Sequence, residues 1–315
     1  MPQQTILVHL HSTSLPGQMH AILRALARRT INVLPRQVAG KIVSGQPRLV
    51  AYLDESDLPV RFRNCYYGDV TLILSSRYRI ERFLLYDHAY DEKLLLSLMR
   101  IVSPGDVCLD VGANIGAITL SLAHRVGPGG RVLAFEPGPL LFDRLTKNIE
   151  RNRLGNVSAY QVGLGSHNAM LYWRLEEGEN AGNAFISSDP TGIAVHVATL
   201  DEFVAIQQLP RIDLIKIDVE GMELSVIQGA LGTIRRFKPC IIVETRTGSG
   251  PLADHVVEML ALLAAEGYED WDIDVPRDQL TTCKPSFNFV RCKYPDLPQN
   301  TLFVHASRGN SFGLQ

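Results

Sequence analysis

From residue 107 onward the chain alternates short apolar bursts with longer stretches whose apolar residues recur every three to four positions. The bursts at 107–111, 131–135, 157–162, 214–217, 240–243, 268–275 and 301–305 have the length and composition of strands. The runs at 117–123, 140–152, 222–237 and 252–265 have helical spacing, with Leu141, Leu145 and Ile149 on one stripe and Met222, Val226, Ala230 and Ile234 on another. Strands alternating with helices predict right-handed crossovers and a mainly parallel, doubly wound α/β sheet. The expected count is seven strands, the last two forming an antiparallel edge pair.

Three regions depart from this rhythm. Residues 60–82 alternate polar and apolar positions around Gly68, predicting a small antiparallel flap, and a helix over 91–102 stops at Ser103-Pro104-Gly105. Between the third and fourth strands lie roughly 37 residues more than a helical connection needs, predicting an insertion. Its strands are expected at 170–175 and 193–199, and Gly178-Glu-Asn-Ala-Gly-Asn183 between them has the composition of a lid. Residues 1–59 form an extension with one amphipathic helix carrying Met19, Ile22, Leu23 and Leu26, so the domain proper is expected to run from 60 to 315.

Composition narrows the class. Hydrophobic residues make up 46% of the 315 and charged residues 20%, as in a globular protein with a sizeable core. A net charge of −2 argues against a nucleic-acid partner. Residues 1–50 nevertheless carry Arg24, Arg28, Arg29, Arg36, Lys41 and Arg48 and no acid, while the remainder holds 25 basic against 33 acidic residues. The basic extension either packs on the domain or a homodimer partner, or contacts an anionic membrane surface. His9 and His11 lack a third ligand candidate nearby. The five cysteines form no Cys-x-x-Cys pair, and Cys108 and Cys240 fall in buried strands, so free thiols and a reducing cytoplasm are expected. The apolar run at 6–10 is too short for a signal peptide.

The chemistry concentrates after the first strand of the sheet. There Asp110-Val-Gly-Ala-Asn-Ile-Gly116 leads into a helix, a turn where glycine lets the backbone approach a ligand and helix amides face it. A dinucleotide turn wants Gly-x-Gly-x-x-Gly, and here Asn114 stands where the pyrophosphate glycine belongs. Asp110 would repel a phosphate and favour a cationic amino-acid moiety, which points to S-adenosylmethionine. Glu136, 20 residues past Gly116, ends the second strand where a carboxylate can accept from a ribose diol, with Pro137 and Gly138 turning the chain. Gly163 and Leu164, ending the third strand, lie where an adenine could rest. Asp218 and Glu220 end the fourth strand and Glu244 the fifth, on the same rim. Asp218 and Glu220 are either site carboxylates or a helix cap and its dipole partner.

Taken in order, Asp110-Val-Gly-Ala-Asn-Ile-Gly116, Phe135-Glu-Pro137, Thr199-Leu-Asp-Glu202 and Asp213-Leu-Ile-Lys-Ile-Asp-Val-Glu-Gly-Met-Glu223 resemble the FkbM family of S-adenosylmethionine-dependent methyltransferases. The resemblance runs from about Tyr90 to Glu244, and more loosely to Phe303. It implies a class I, Rossmann-like methyltransferase fold, and O-methylation of a sugar, glycolipid or polyketide-type acceptor. It also implies cofactor contacts from Asp110, Gly112, Ala113, Asn114, Gly116, Glu136, Pro137, Gly163, Leu164 and Asp218. Gly163 departs from the family, where alanine is frequent. An alcohol needs a base to attack a methyl group, and the candidates are Asp218, Glu220, Glu244 and His88, with Asp218 favoured by position. A divalent ion shared by Asp218 and Glu244 is an alternative, not the expectation. A nicotinamide-dependent oxidoreductase and a catalytically inactive cofactor-binding scaffold are the competing functions.

Overall fold

The computed structural model describes residues 58–75, 78, 80, 81, 84, 91–176, 184–245, 252–274, 288–292 and 297–312. They belong to one compact unit, Asp57–Gln315. The expected N-terminal helix, the His9 and His11 pair, the lid at 178–183 and His88 lie outside the described residues.

The central sheet has eight strands among the described residues. β3 (Val107–Val111), β4 (Arg131–Phe135), β5 (Val157–Tyr160), β10 (Leu214–Ile217) and β11 (Cys240–Glu244) are parallel neighbours in the order β5-β4-β3-β10-β11. The sheet reverses its winding between β3 and β10, which opens a crevice at their carboxyl ends. This is a doubly wound, Rossmann-like arrangement, and it has one strand more than the seven expected. The expected antiparallel pair is present at one side of the sheet, with β14 (Asn300–His305) running antiparallel between β11 and β12 (Tyr268–Asp274). An eighth strand, β13 (Asn288–Arg291), pairs outside β12. Period-2 patterning sets which face a residue occupies but not which strand lies beside it, so strand order had no signature in the sequence.

Alternate residues of these strands feed two cores. Cys108, Val132, Leu214 and Ile242 pack toward α1 (Glu92–Ile101), α2 (Ala117–Val126) and α3 (Pro139–Arg151). Leu109, Leu133, Ile215 and Ile241 pack toward α4 (Leu200–Gln207), α5 (Glu223–Gln228), α6 (Leu231–Phe237) and α7 (Asp254–Ala265). No described helix is long and apolar enough to cross a membrane. Cys65 is disulfide-bonded, whereas Cys108, Cys240 and Cys292 are free. Cys108 and Cys240 are thus free as expected, while the bond at Cys65 departs from the expectation of a chain without disulfides, because pairing depends on approach in space and not on spacing in the chain.

The flap forms as expected, from β1 (Leu58–Asn64) and β2 (Gly68–Leu74). Asparagines of α3 satisfy the free edge of β2. Asn152 accepts from Thr71 N–H and donates to its carbonyl, both at 2.7 Å, and Asn148 accepts from Ile73 N–H at 2.7 Å. Asn148 also donates to the Ile115 carbonyl at 2.8 Å, joining the flap to the glycine turn through one side chain. Arg144 and Glu81 form a buried ion pair at 2.6 Å behind it.

The insertion is larger than a hairpin. β6 (Gly163–Leu164), β7 (Ala169–Leu175), β8 (Ala184–Ser187) and β9 (Ile193–Ala198) form a separate sheet in the order β6-β9-β7-β8. Gly163 and Leu164 therefore belong to this accessory sheet, and the third parallel strand ends at Tyr160. The helix expected over 222–237 is also two helices. A Cβ on Gly229, between them, would sit 1.9 Å from the Gly165 carbonyl oxygen, so the chain passes the accessory sheet at backbone contact. Asp201 ties the joint: its N–H donates to the Gly229 carbonyl, and its carboxylate accepts from Gly232 and Thr233 N–H at the start of α6.

This contact predicts that Gly229→Ala costs about 2 kcal/mol or more in urea unfolding, by overpacking against backbone. Gly155→Ala, which meets open space, should change stability by less than about 0.5 kcal/mol.

Candidate active site

The residues of the turn after β3 are positioned by strain and by a crossing. Gly112, Asn114 and Gly116 have φ of 79°, 51° and 94°. At Gly112 an added Cβ would fall 1.8 Å from the Asp218 carbonyl oxygen, so the ends of β3 and β10 meet where only glycine fits. At Gly116 a Cβ would press on Leu145 at 2.8 Å, which makes that glycine a packing requirement behind the turn. Of the six non-glycine residues with positive φ among the described residues, Arg153, Gln208 and Lys238 follow or cap helix C-termini. Asp91 caps the start of α1, and the remaining two, Asn114 and Glu220, line the crevice, where such strain is often functional.

The amides of the turn are all engaged. Gly112 and Ala113 N–H donate to the Phe135 carbonyl at 3.0 and 2.9 Å, and Gly116 N–H to the Ala113 carbonyl at 2.9 Å. Asn114 N–H donates to Glu136 at 2.9 Å, and Ile115 N–H to the Asn114 side chain at 2.8 Å. What the turn itself offers is thus a fixed wall and a carboxylate, while the helix amides expected to face a ligand belong to the start of α2, where Gly116 makes no side-chain cap bond and Ala117 and Ile118 line the crevice. Glu136 is 4% exposed and accepts from Asn114 and Gly138 N–H, one at each oxygen. Burial pushes its carboxyl up to about 7 despite those two donors.

A cleft enclosing about 880 Å³, its open mouth included, runs over the carboxyl ends of the strands. Gly112, Ala113, Asn114, Glu136, Pro137, Gly163, Leu164, Asp218 and Glu220 line it. Pro137, Leu141, Gly163, Trp173 and Ile186 give the cleft apolar surface, and Glu136, Lys216, Asp218 and Glu220 give it charged groups.

Three expected residues are placed differently. Asp110 is fully buried below the cleft, where it accepts from the Thr119 hydroxyl at 2.6 Å and faces the Lys216 ammonium at 3.4 Å. Its charge is answered from within and does not face a ligand, which corrects its reading as a contact for a cationic moiety. Gly116 packs as described, and Glu244 joins the acidic group beside the cleft without lining it. Sequence reasoning passed over Lys216, although a lysine inside Leu-Ile-Lys-Ile is itself the signal of a buried, paired charge. Lys216 Nζ lies 3.4 Å from Asp110 and 3.3 Å from Asp218, and donates to the Gly112 carbonyl at 3.3 Å. Burial alone would lower its pKa, but the two carboxylates outweigh burial and raise it.

Asp218 does not cap the following helix. The loop amides of Val219 and Gly221 donate to Glu223, which leaves the Asp218 carboxylate to Lys216 and the rim. Asp218, Glu220 and Glu244 each place a carboxylate oxygen within 4.8 Å of the others, all half-buried. Oxygen donors so grouped could hold a divalent cation. Burial, then the charge of Asp218, pushes Glu244 up to about 8, while the Gln299 amide, donating at 3.1 Å, works in the opposite direction. Asp91, which caps α1 by accepting from Leu94 N–H, accepts from Asn300 on the same side, and burial raises its pKa.

A family profile described as Methyltransferase FkbM domain matches residues 110–269, more than half of the chain. The chain belongs to the FkbM methyltransferase family. Among curated FkbM-like relatives, Methyltransferase 1 of Beauveria bassiana is 30% identical over 142 residues, covering 38% of this chain and 57% of its own. The hexuronic acid methyltransferase AglP of Haloferax volcanii is 29% identical over 161 residues, covering 51% and 64%. The 31-O-demethyl-FK506 methyltransferase FkbM of Streptomyces tacrolimicus is 27% identical over 218 residues, covering 60% and 82%. The chain thus spans less than two thirds of the length of the first two relatives.

For this FkbM-family chain the Glu244 environment sets a pH-dependent test. A carboxyl raised from its ordinary value to about 8 costs stability as pH rises through that interval, because the folded state must give up a proton it holds more tightly than the unfolded chain. Glu244→Gln, which imitates the protonated form, should raise the melting temperature at pH 9 and leave it unchanged at pH 4.

Proposed function

We propose that the chain transfers the methyl group of S-adenosylmethionine to a hydroxyl of a sugar, glycolipid or polyketide-type acceptor. The observation that carries the cofactor reading is the engagement of every amide from Gly112 to Gly116. A nicotinamide dinucleotide needs such amides for its pyrophosphate, whereas S-adenosylmethionine has no phosphate and needs a ribose acceptor, for which Glu136 keeps one free lone pair on each oxygen. The oxygen-directed reading is supported by the relative named 31-O-demethyl-FK506 methyltransferase, and a sugar acceptor by the relative named hexuronic acid methyltransferase.

Bound in the cleft with its ribose on Glu136, the cofactor supplies an electrophilic methyl group on a sulfonium. The chain supplies position and a proton acceptor. An in-line displacement needs the acceptor oxygen within about 3 to 3.5 Å of the methyl carbon, so a wall fixed by Gly112 and Lys216 contributes through orientation. Asp218, held by Lys216, and Glu244 beside it are the carboxylates that would accept the hydroxyl proton as the methyl group passes from the sulfonium to the acceptor oxygen. Glu244, raised by burial and by the charge of Asp218 to about 8, gives up its proton as pH rises through that value, so turnover should climb there.

The test is calorimetry with S-adenosylmethionine, followed by a labelled-methyl screen across sugars, glycolipids and polyketide alcohols. Asp218→Asn should lower kcat about 100-fold or more while cofactor affinity stays within about threefold, and Glu136→Ala should do the reverse. Binding of NAD with no response to S-adenosylmethionine would return the oxidoreductase reading. Tight S-adenosylmethionine binding with no methyl transfer to any acceptor would leave a binding scaffold.

A further inference from the structure

Among the described residues that line the cleft, every one but Ile80 lies within the stretch 110–269 that matches the family. Ile80 comes from the chain that follows the flap, and its neighbour is bound to α3. Glu81, 1% exposed, accepts from Arg144 Nη2 at 2.6 Å. The same carboxylate oxygen accepts from Ser75 N–H, just beyond β2. Arg144, 7% exposed, also donates to the Ile73 carbonyl at 3.3 Å, and its guanidinium lies 5.4 Å from the centre of the Tyr78 ring. Ile73, Tyr78 and Glu81 thus converge on one side chain of α3.

Stability alone does not explain this pair. A buried ion pair gives little net stability over an apolar pair of the same volume, but it fixes geometry, since neither charge is tolerated there without the other. The geometry is set along α3. Leu141, three residues before Arg144 and so on the same helix face, lines the cleft with Ile80. Leu145, next to Arg144, is the side chain that a Cβ on Gly116 would press against at 2.8 Å. Since α3 begins at Pro139, just after Glu136, the Glu81 contact ties Ile80 to the helix that backs the glycine turn and follows the ribose carboxylate. Ala117 and Ile118, at the start of α2, add apolar surface to the same cleft.

We propose that Arg144 is a positioning residue for cofactor binding: through Glu81 it holds Ile80 on the cleft, where the Ile80 side chain packs against bound S-adenosylmethionine and keeps water from it. This rests on the S-adenosylmethionine reading. It gives the flap and the chain that follows it, which the family match does not include, a part in the site. Arg144 itself touches no ligand, so its effect on binding passes through Ile80.

The experiment is a calorimetric titration of S-adenosylhomocysteine into the wild-type chain, Ile80→Ala, Arg144→Lys and the double variant. Lysine keeps the charge of Arg144 but loses the planar guanidinium that meets Glu81 and Ile73 together. The expected result is a Kd about tenfold higher for Ile80→Ala, from the lost apolar contact. Arg144→Lys should raise Kd about fivefold in the wild-type background and less than about twofold in the Ile80→Ala background, because the arginine acts through Ile80. A merely structural arginine would give independent losses, so additive effects overturn the positioning role. Equal affinity of Ile80→Ala and wild type overturns the contact itself. If wild type binds no S-adenosylhomocysteine, the cofactor reading fails and the proposal falls with it, a result distinct from equal affinities. Should Arg144→Lys not fold, Glu81→Gln takes its place in the cycle, since it keeps the shape and an acceptor oxygen while removing the charge.

Discussion

The crossing of the Gly112 backbone over the Asp218 carbonyl holds the two halves of the site together. With 1.8 Å between that oxygen and the place a Cβ would occupy, no other residue fits at Gly112 without moving β3 away from β10. The approach is secured by Asp218 N–H donating to the Val111 carbonyl at 3.1 Å and by Lys216 donating to Gly112. Lys216 is also the counter-charge of Asp110 and Asp218, with a side chain only 3% exposed. Buried charges are costly unless their partners are in place, so the ammonium and two carboxylates oblige both strand ends to keep one geometry. The turn that shapes the cleft and the Asp218 carboxylate that lines it are thereby one unit.

Around this unit the chain adds two structures whose edges are closed by different means. The flap is fastened through asparagine side chains of α3, which substitute for a neighbouring strand along β2 and reach the glycine turn through Ile115. The accessory sheet is fastened by backbone proximity, with Gly229 under Gly165 and Asp201 capping the restarted helix. Each fastening uses small or short polar residues because side-chain bulk would separate backbones that need to touch. The accessory sheet also forms the apolar wall of the cleft, so its attachment bears on the shape of the binding site as well as on stability.

Much of the central sheet was legible because strand and helix periods differ and because its parallel strands are buried on both faces. Arg131–Phe135 and Leu214–Ile217 carry such patterns, and their predicted limits coincide with the observed ones. The glycine turn was legible through positive φ, which glycine and asparagine tolerate. The broken helix after Glu223 was not, since Val226, Ala230 and Ile234 keep one stripe across the break and only a distant carbonyl explains Gly229. Asp110 read as a ligand-facing acid because charge alone was considered; its partners Thr119 and Lys216 are brought to it by packing.

The sequence by itself determined the α/β class, the position of the crevice and the family, because these depend on local periodicity and on short motifs whose residues act through their own backbone. The tertiary structure decided the order of the last strands, the membership of Gly163 and Leu164 in a second sheet, the burial of Asp110 and the meeting of Asp218, Glu220 and Glu244. Each of these depends on contacts between segments far apart in the chain, and a periodic pattern records which face of a strand is buried without recording what buries it.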